Sequence, residues 1–472
     1  MIATTLRDVA AAVGGALSPD ADPDTLATTS VVFDSRKAEP GGLFVAFDGE
    51  QTDGHAHVAD ALARGVVAAI VTRPVDGPHI LVADAATAMG DLARDVANRF
   101  GPELTVVGIT GSSGKTSTKD LVAQLLATLG PTVAPPGSFN NELGHPYTVL
   151  LAGGSTRYLV LETSARGIGH IAYLTGIARP RIGVVLNVGT AHLGEFGSRA
   201  AIAVAKGELV EALPDATEGG VAVLNVDDPL VRAMAPRTSA RVVGVGEAVT
   251  ADVRALDVGS DTSGRARFTL AHAGVTAPVA MQLVGGHHVG NALAAAAVAL
   301  ECGMPLADVA AGLAAARPVS RWRMEVTDRA DGVTIVNDAY NANPDSVRAA
   351  LKTLAEIRHG GVDAGGRKAW AVLGPMGELG DASRDEHDAI GRLVVRLSVD
   401  KLVAVGADAR PMFTGASLEG SWDGEAVWEP DVDAAIALLR EQLGPGDVVL
   451  VKASRFAGLE RVAAALLEGE SS

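Results

Sequence analysis

Leu104-Thr105-Val106-Val107-Gly108-Ile109-Thr110-Gly111-Ser112-Ser113-Gly114-Lys115-Thr116-Ser117 joins an apolar run to a glycine turn and then to a helical pattern. The run from Leu104 to Ile109 reads as a buried strand. Beyond the turn, Leu121, Val122, Leu125, Leu126 and Leu129 recur at helical spacing. A strand, a glycine turn and a helix start in that order aim unpaired backbone N–H groups and a helix N-terminus at a phosphate. Lys115 is placed to reach terminal phosphates, and the Thr116 hydroxyl to coordinate Mg²⁺. The spacing is the short G-x-x-G-K-T: Ile109 occupies the position where the longer phosphate-loop pattern has glycine, and Gly108 comes one residue too early. A plain glycine turn beside a surface lysine is the competing reading. The strand before and the Lys-Thr pair at the helix start argue against it, so a nucleoside triphosphate is the expected ligand.

Outward from the loop, a length of 472 residues suggests about three domains. A formal charge of −17 argues against a general nucleic-acid binder, because phosphate-backbone affinity rests on Lys and Arg. The single cysteine, Cys302, excludes a disulfide within the chain and reads as a small buried hydrophobe in an alanine-rich helix. Arg7 and Asp8 interrupt the N-terminus, which does not read as a signal peptide. The most apolar window, Ala292 to Leu300, is too short to span a bilayer. A cytoplasmic protein without membrane or nucleic-acid partners is expected.

Residues 1–100 carry strand and helix signals around Asp34-Ser35-Arg36, where Arg36 is either a clamp for a phosphate or a uracil carbonyl or a solvated loop arginine. Residues 101–319 alternate strands and helices around the phosphate loop. Tyr158-Leu-Val-Leu161 is a short strand ending in Glu162, either a Mg²⁺ ligand or a capping or ion-paired glutamate. Asn187-Val-Gly-Thr-Ala-His192 follows the next strand, and Lys206 lies on the helix after it. Lys206 is either solvated or a buried neutral amine able to add CO₂ and become an oxygen ligand. The segment 247–284 suggests a small hairpin-bearing excursion, and Asn291 opens an alanine-rich helix as an adenine contact or a cap. Residues 320–472 alternate again, with loops at Asp338-Ala-Tyr340-Asn341-Ala-Asn343-Pro344, Gly374–Leu379 and Lys452-Ala-Ser-Arg455 at one carboxyl edge of a parallel Rossmann-like sheet. Lys452 and Arg455 are candidates for holding a carboxylate or phosphate.

Over essentially its whole length the chain resembles the Mur ligases, within them the type adding D-alanyl-D-alanine to UDP-N-acetylmuramoyl-tripeptide. The matching stretches are Asp34-Ser35-Arg36, Thr110–Thr116, Asn140-Asn141-Glu142, Glu162, Asn187-x-Gly-x-Ala-His192, Lys206-Gly-Glu208, Asn291, Asp338-x-Tyr340-Asn-Ala-Asn343-Pro, Glu378-Leu-Gly380 and Lys452-x-Ser-Arg455. The resemblance implies an α/β protein of three domains: a UDP-sugar domain (1–100), a central ATP domain with a phosphate-loop parallel sheet (101–319), and a Rossmann-like domain for the incoming amine (320–472). It implies ATP, two Mg²⁺ ions and a carbamylated Lys206 as cofactors, with Thr116, Glu162, His192 and Lys206 as metal ligands. Gly111–Ser117, Asn291, Arg323 and Asp338 are expected at the nucleotide, with Lys115, Glu162, His192 and Lys206 catalytic. Ser35, Arg36, Asn140, Asn141, Tyr340, Asn343, Lys452 and Arg455 are expected at the substrates, and a monomer is expected. Departures stand at Thr163-Ser164, His288, Pro375 and Ala453. A sister ligase adding one amino acid fits less well, since the Asp-Asn-Pro-Arg motif of the diaminopimelate adder is missing. A catalytically silent binding subunit is disfavoured because Glu162, His192 and Lys206 are all present.

Overall fold

The computed structural model describes residues 1–49, 52–190, 193–360, 367–420 and 425–468. Among the described residues three large sheets follow one another along the chain, beside a two-stranded antiparallel pair of Thr4–Thr5 with Leu26–Ala27. The first, of five strands, runs Ala16–Leu17, His79–Leu81, Ala68–Val71, Leu43–Val45, Val31–Val32 and is parallel except at its first pair. The central sheet has nine strands, with Thr105–Thr110 lying between Tyr158–Glu162 and Ile182–Val185. The third has six strands, parallel except where Glu325–Asp328 pairs with Thr334–Asn337.

The central strands are buried on both faces, which explains their near-continuous apolar composition. Val107, Ile109, Val160 and Val184 face the loop helix Lys115–Leu126 and the alanine-rich helix His288–Glu301. Ala292 through Ala299 are all buried there; small side chains let that helix lie close against the strands. On the opposite face, Val106, Leu159 and Leu161 share one core with Leu43, Val45, Ile80, Met89 and Leu92. The first and central sheets are therefore joined by continuous apolar packing rather than by a loose linker.

The register decides where function can sit. Glu162 pairs with Ile109 and Val185 with Thr110, so three neighbouring parallel strands end at one level and their loops converge on one carboxyl edge. Three expectations change. The segment expected as an excursion is instead part of the central sheet: Val253–Ser260 extends it in parallel, and Arg265–His272 and Val275–Val284 add antiparallel strands. The helix after the loop ends at Leu126, so Leu129 lies beyond it, and Cys302 is the partly buried C-cap of its helix. Among the described residues no helix is long and apolar enough to cross a membrane.

Candidate active site

The turn Gly111–Gly114 is braced from outside. The Asn187 side chain accepts from Ser113 N (2.9 Å) and donates to Ser113 O (3.2 Å), while its carbonyl accepts from Ser112 N (3.2 Å). Ser112 Oγ accepts from Gly189 N at 2.9 Å. Gly114 starts the helix at φ +81, and a Cβ there would lie 2.4 Å from Asn291 Oδ1, so both backbone and space require glycine. Lys115 Nζ donates to Gly111 O at 2.7 Å, which folds the side chain back over the turn. Burial lowers the Lys115 pKa, and the Glu162 carboxylate opposes that shift.

Beneath this loop lies a buried ionisable group set. Thr116 Oγ1 and Ser138 Oγ share a 2.6 Å hydrogen bond. Glu162 is fully buried; Asn140 Nδ2 donates to its Oε2 at 3.2 Å, and among the described residues its Oε1 has no hydrogen-bond partner. Burial pushes the Glu162 pKa up, against the pull of Lys115, Lys119 and Arg323. Lys206 is buried on the helix Arg199–Glu211 and makes no hydrogen bond or ion pair with a described residue. Burial first, and then repulsion from Lys115, hold its pKa well below the ordinary lysine value. The solvated alternative for Lys206 is thus removed by its burial. Glu208, two residues on, accepts from Gly169 N (2.6 Å) and Ala172 N (2.9 Å) and so caps a neighbouring helix. His192 lies outside the described residues.

The third sheet's loops close over the turn. Arg323 Nη2 donates to Ser138 Oγ (3.0 Å) and Thr116 Oγ1 (3.3 Å), and its guanidinium stacks 4.3 Å from the Tyr340 ring. Asn343 Nδ2 reaches Ser112 O at 3.4 Å. Asp345 Oδ2 accepts from Thr190 N and Oγ1, at 2.9 and 3.1 Å. The result is a cleft of about 720 Å³. Ser112 through Ser117, Asn140, Asn141, Asn291, Arg323, Asp338, Tyr340, Asn343, Lys452 and Arg455 all line it.

Other expected residues are placed differently. Gly111, Glu162 and Lys206 are not among the residues that line the cleft. Ser35 and Arg36 do not line the cleft; Arg36 is largely exposed and pairs with Asp34, whose pKa it pulls down to about 2. Lys452 is 2% exposed and donates to Asp338 Oδ2 (2.6 Å) and Asn341 O (2.9 Å), so its charge is already matched inside the protein. Arg455 stacks 4.4 Å from the Trp322 ring and pairs with Glu460. Asn187 opens a stretch the sequence singled out yet carried no role there, and Ser138 lies two residues before another, Asn140-Asn141-Glu142. Only their contacts 74 and 22 residues away reveal a role. Arg166, His170 and Phe456 also line the cleft and carried no sequence signal.

Known proteins match this arrangement along the whole chain. The profile described as Mur ligase middle domain matches residues 109–299, that of the Mur ligase, glutamate ligase domain matches 322–455, and that of the Mur ligase family, catalytic domain matches 28–96. The chain is 52% identical to the UDP-N-acetylmuramoyl-tripeptide--D-alanyl-D-alanine ligase of Mycobacterium tuberculosis (strain H37Rv), covering 100% of this chain and 99% of that one. A crystal structure of MurF from Acinetobacter baumannii superposes with a TM-score of 0.86 at 33% identity, covering 99% of each chain. The MurF ligase from Thermotoga maritima in complex with ADP superposes with a TM-score of 0.79 at 29% identity, over 93% of this chain and 97% of that one. An α/β chain of three large sheets with a braced phosphate loop, matched from end to end by these proteins, belongs to the Mur ligase family.

Proposed function

We propose that this chain is an ATP-dependent ligase that joins D-alanyl-D-alanine to UDP-N-acetylmuramoyl-tripeptide in peptidoglycan precursor synthesis, acting in the cytoplasm as a monomer. The observation that carries the reading is the phosphate loop roofed by Arg323 and Asn343 from the third sheet, within a chain 52% identical to a ligase of that name. The boundaries we assign are 1–100 for the UDP-sugar domain, 101–319 for the ATP domain and 320–472 for the amine domain.

Amide formation in water needs an acyl donor better than a carboxylate. ATP would phosphorylate the terminal carboxylate of the tripeptide: the carboxylate oxygen attacks the γ-phosphorus and ADP leaves. The amine of D-alanyl-D-alanine then attacks the acyl phosphate, and phosphate leaves as the C–N bond forms. The first step brings two anions together, so charge neutralisation is the main catalytic task. Lys115, the N–H groups of the turn and Arg323 supply it from this chain. Closure of the third domain over the loop keeps water from the acyl phosphate.

The residues fit Mg²⁺. A buried carboxylate with one oxygen unmatched among the described residues (Glu162) and a threonine hydroxyl (Thr116) form a hard-oxygen donor set. We assign Thr116 and Glu162 to one ion, and His192 with carbamylated Lys206 to a second. When bound, Mg²⁺ supplies neutralisation of phosphate charge. The depressed Lys206 pKa favours the neutral amine, whose nitrogen would add CO₂ with release of one proton, turning a neutral amine into an anionic oxygen ligand.

Phosphate release, measured with each candidate substrate alone and in combination, tests the reading. Release is expected only when ATP, UDP-N-acetylmuramoyl-tripeptide and D-alanyl-D-alanine are present together. Equal release with a single amino acid in place of the dipeptide would overturn it.

A further inference from the structure

The helix that begins at the phosphate loop, Lys115–Leu126, carries Thr116, Asp120 and Gln124 at intervals of four, one per turn along one face. Each touches the strap, residues 317–323, that leads from the central sheet to the third. Gln124 Oε1 accepts from Arg317 N at 3.0 Å, and Gln124 Nε2 donates to Arg317 O at 3.1 Å. The same Nε2 donates to Asp120 O at 3.1 Å, so both donors and one acceptor site of the amide are used and it is held in one orientation. Asp120 Oδ2 accepts from Ser320 N at 3.1 Å. Arg323 then reaches Thr116 and Ser138. The strap runs back along the helix from its C-terminal end toward the loop, advancing three residues for each helical step of four.

Four helical residues rise about 6 Å, so the strap covers about 2 Å per residue, well short of an extended chain. The backbone on both sides of Arg323 is tightly turned. Trp322 and Met324 both hold left-handed φ angles, +59 and +50, which bulky side chains rarely adopt. A segment in that conformation is set by the contacts on either side of it rather than by its own preference. Trp322 O accepts from Tyr340 N (3.3 Å) and Met324 N donates to Asp338 Oδ1 (3.2 Å), which secures the third-sheet side. On the helix side the securing groups are Gln124 and Asp120.

We propose that Gln124 and Asp120 are positioning residues that set the strap in register on the phosphate-loop helix and thereby hold Arg323 over Thr116 and the loop. The proposal rests on the reading of Arg323 as a charge-neutralising group at the nucleotide. Neither residue touches the cleft chemistry; both act through the strap. The sequence pattern is Thr116-x-x-x-Asp120-x-x-x-Gln124, opposite Arg317-x-x-Ser320-x-x-Arg323.

A double-mutant cycle in the full chain tests this. Gln124→Ala is expected to lower kcat about tenfold, the size of one to two neutral hydrogen bonds. It should leave KM for ATP within about twofold. Gln124→Glu, which keeps the acceptor for Arg317 N and loses the donor, should retain more activity than the alanine variant. In an Arg323→Ala background, Gln124→Ala should cost nothing further, because the group it positions is gone. Hydrogen exchange at the Arg317 and Ser320 amides should quicken in Gln124→Ala, a readout that needs no substrate. Losses that multiply in the double variant, or unchanged exchange at those amides, overturn the proposal. Full turnover in Arg323→Ala alone would instead overturn the reading of Arg323 at the nucleotide, whatever the exchange data show.

Discussion

Replacing Lys452 with methionine should unfold the third sheet far more readily. Lys452 ends the strand Val448–Lys452 and is 2% exposed, and its partner Asp338 is 8% exposed. The ammonium sits 2.6 Å from Asp338 Oδ2 and 2.9 Å from Asn341 O. Burial pulls the Lys452 pKa down, and the Asp338 charge and hydrogen bond oppose that pull. Methionine keeps the apolar stem and deletes the charge. The Asp338 carboxylate would keep Met324 N, at 3.2 Å, as a donor. Removing one partner of a buried pair costs about 3–5 kcal/mol. With a urea slope of about 2 kcal/mol/M, the midpoint should fall by about 1.5–2.5 M. Tryptophan fluorescence reads this unit selectively, since all four tryptophans (322, 370, 422 and 428) lie beyond residue 319. Trp370 is 1% exposed on the strand that pairs with Val448–Lys452. Adding Asp338→Asn to Lys452→Met should recover most of the loss, because no unmatched charge then stays buried. A single variant within about 1 kcal/mol of the parent, or a double variant no better than the single, would refute the reasoning.

Lys206→Ala should nearly abolish ligation, and added short carboxylates such as formate should restore part of it; full activity without them would remove the carbamate from the mechanism. Lys115→Ala should lower ATP turnover by on the order of 10²–10³, measured as phosphate release, with unchanged turnover excluding the loop lysine. Burial raises the Cys302 thiol to about 11, so at pH 8 roughly one molecule in a thousand is thiolate. Its alkylation by iodoacetamide should therefore be about a hundredfold slower than that of an exposed cysteine and should rise about tenfold per pH unit up to 11. A plateau near pH 9 would contradict that environment.

Much of the site was legible because its signals are local. The turn Gly111–Gly114, the strand before it and the helix after it follow from periodicity and from the sterics of glycine. The resemblance to Mur ligases then marked Glu162, Lys206 and Asn291. Where local sequence left alternatives, burial removed some of them: a lysine on a helix is ordinarily solvated, and Lys206 is not. Arg36 is exposed and paired with Asp34 outside the cleft. The hairpin signals at 247–284 were genuine, but nothing local says that a hairpin will prolong a neighbouring sheet, as it does through Val253–Ser260.

Composition, spacing and period were enough to determine the α/β class, the alternation of strand and helix, and a loop that binds phosphate, because each depends on residues within a few positions of one another. Only the folded chain decided which charges are matched and which dry. Lys452 meets Asp338 across 114 residues, Asn187 braces Ser113 across 74, and Arg323 crosses 207 to reach Thr116. The burial that lowers the Lys206 pKa is a property of packed elements together, and no short stretch of sequence contains it.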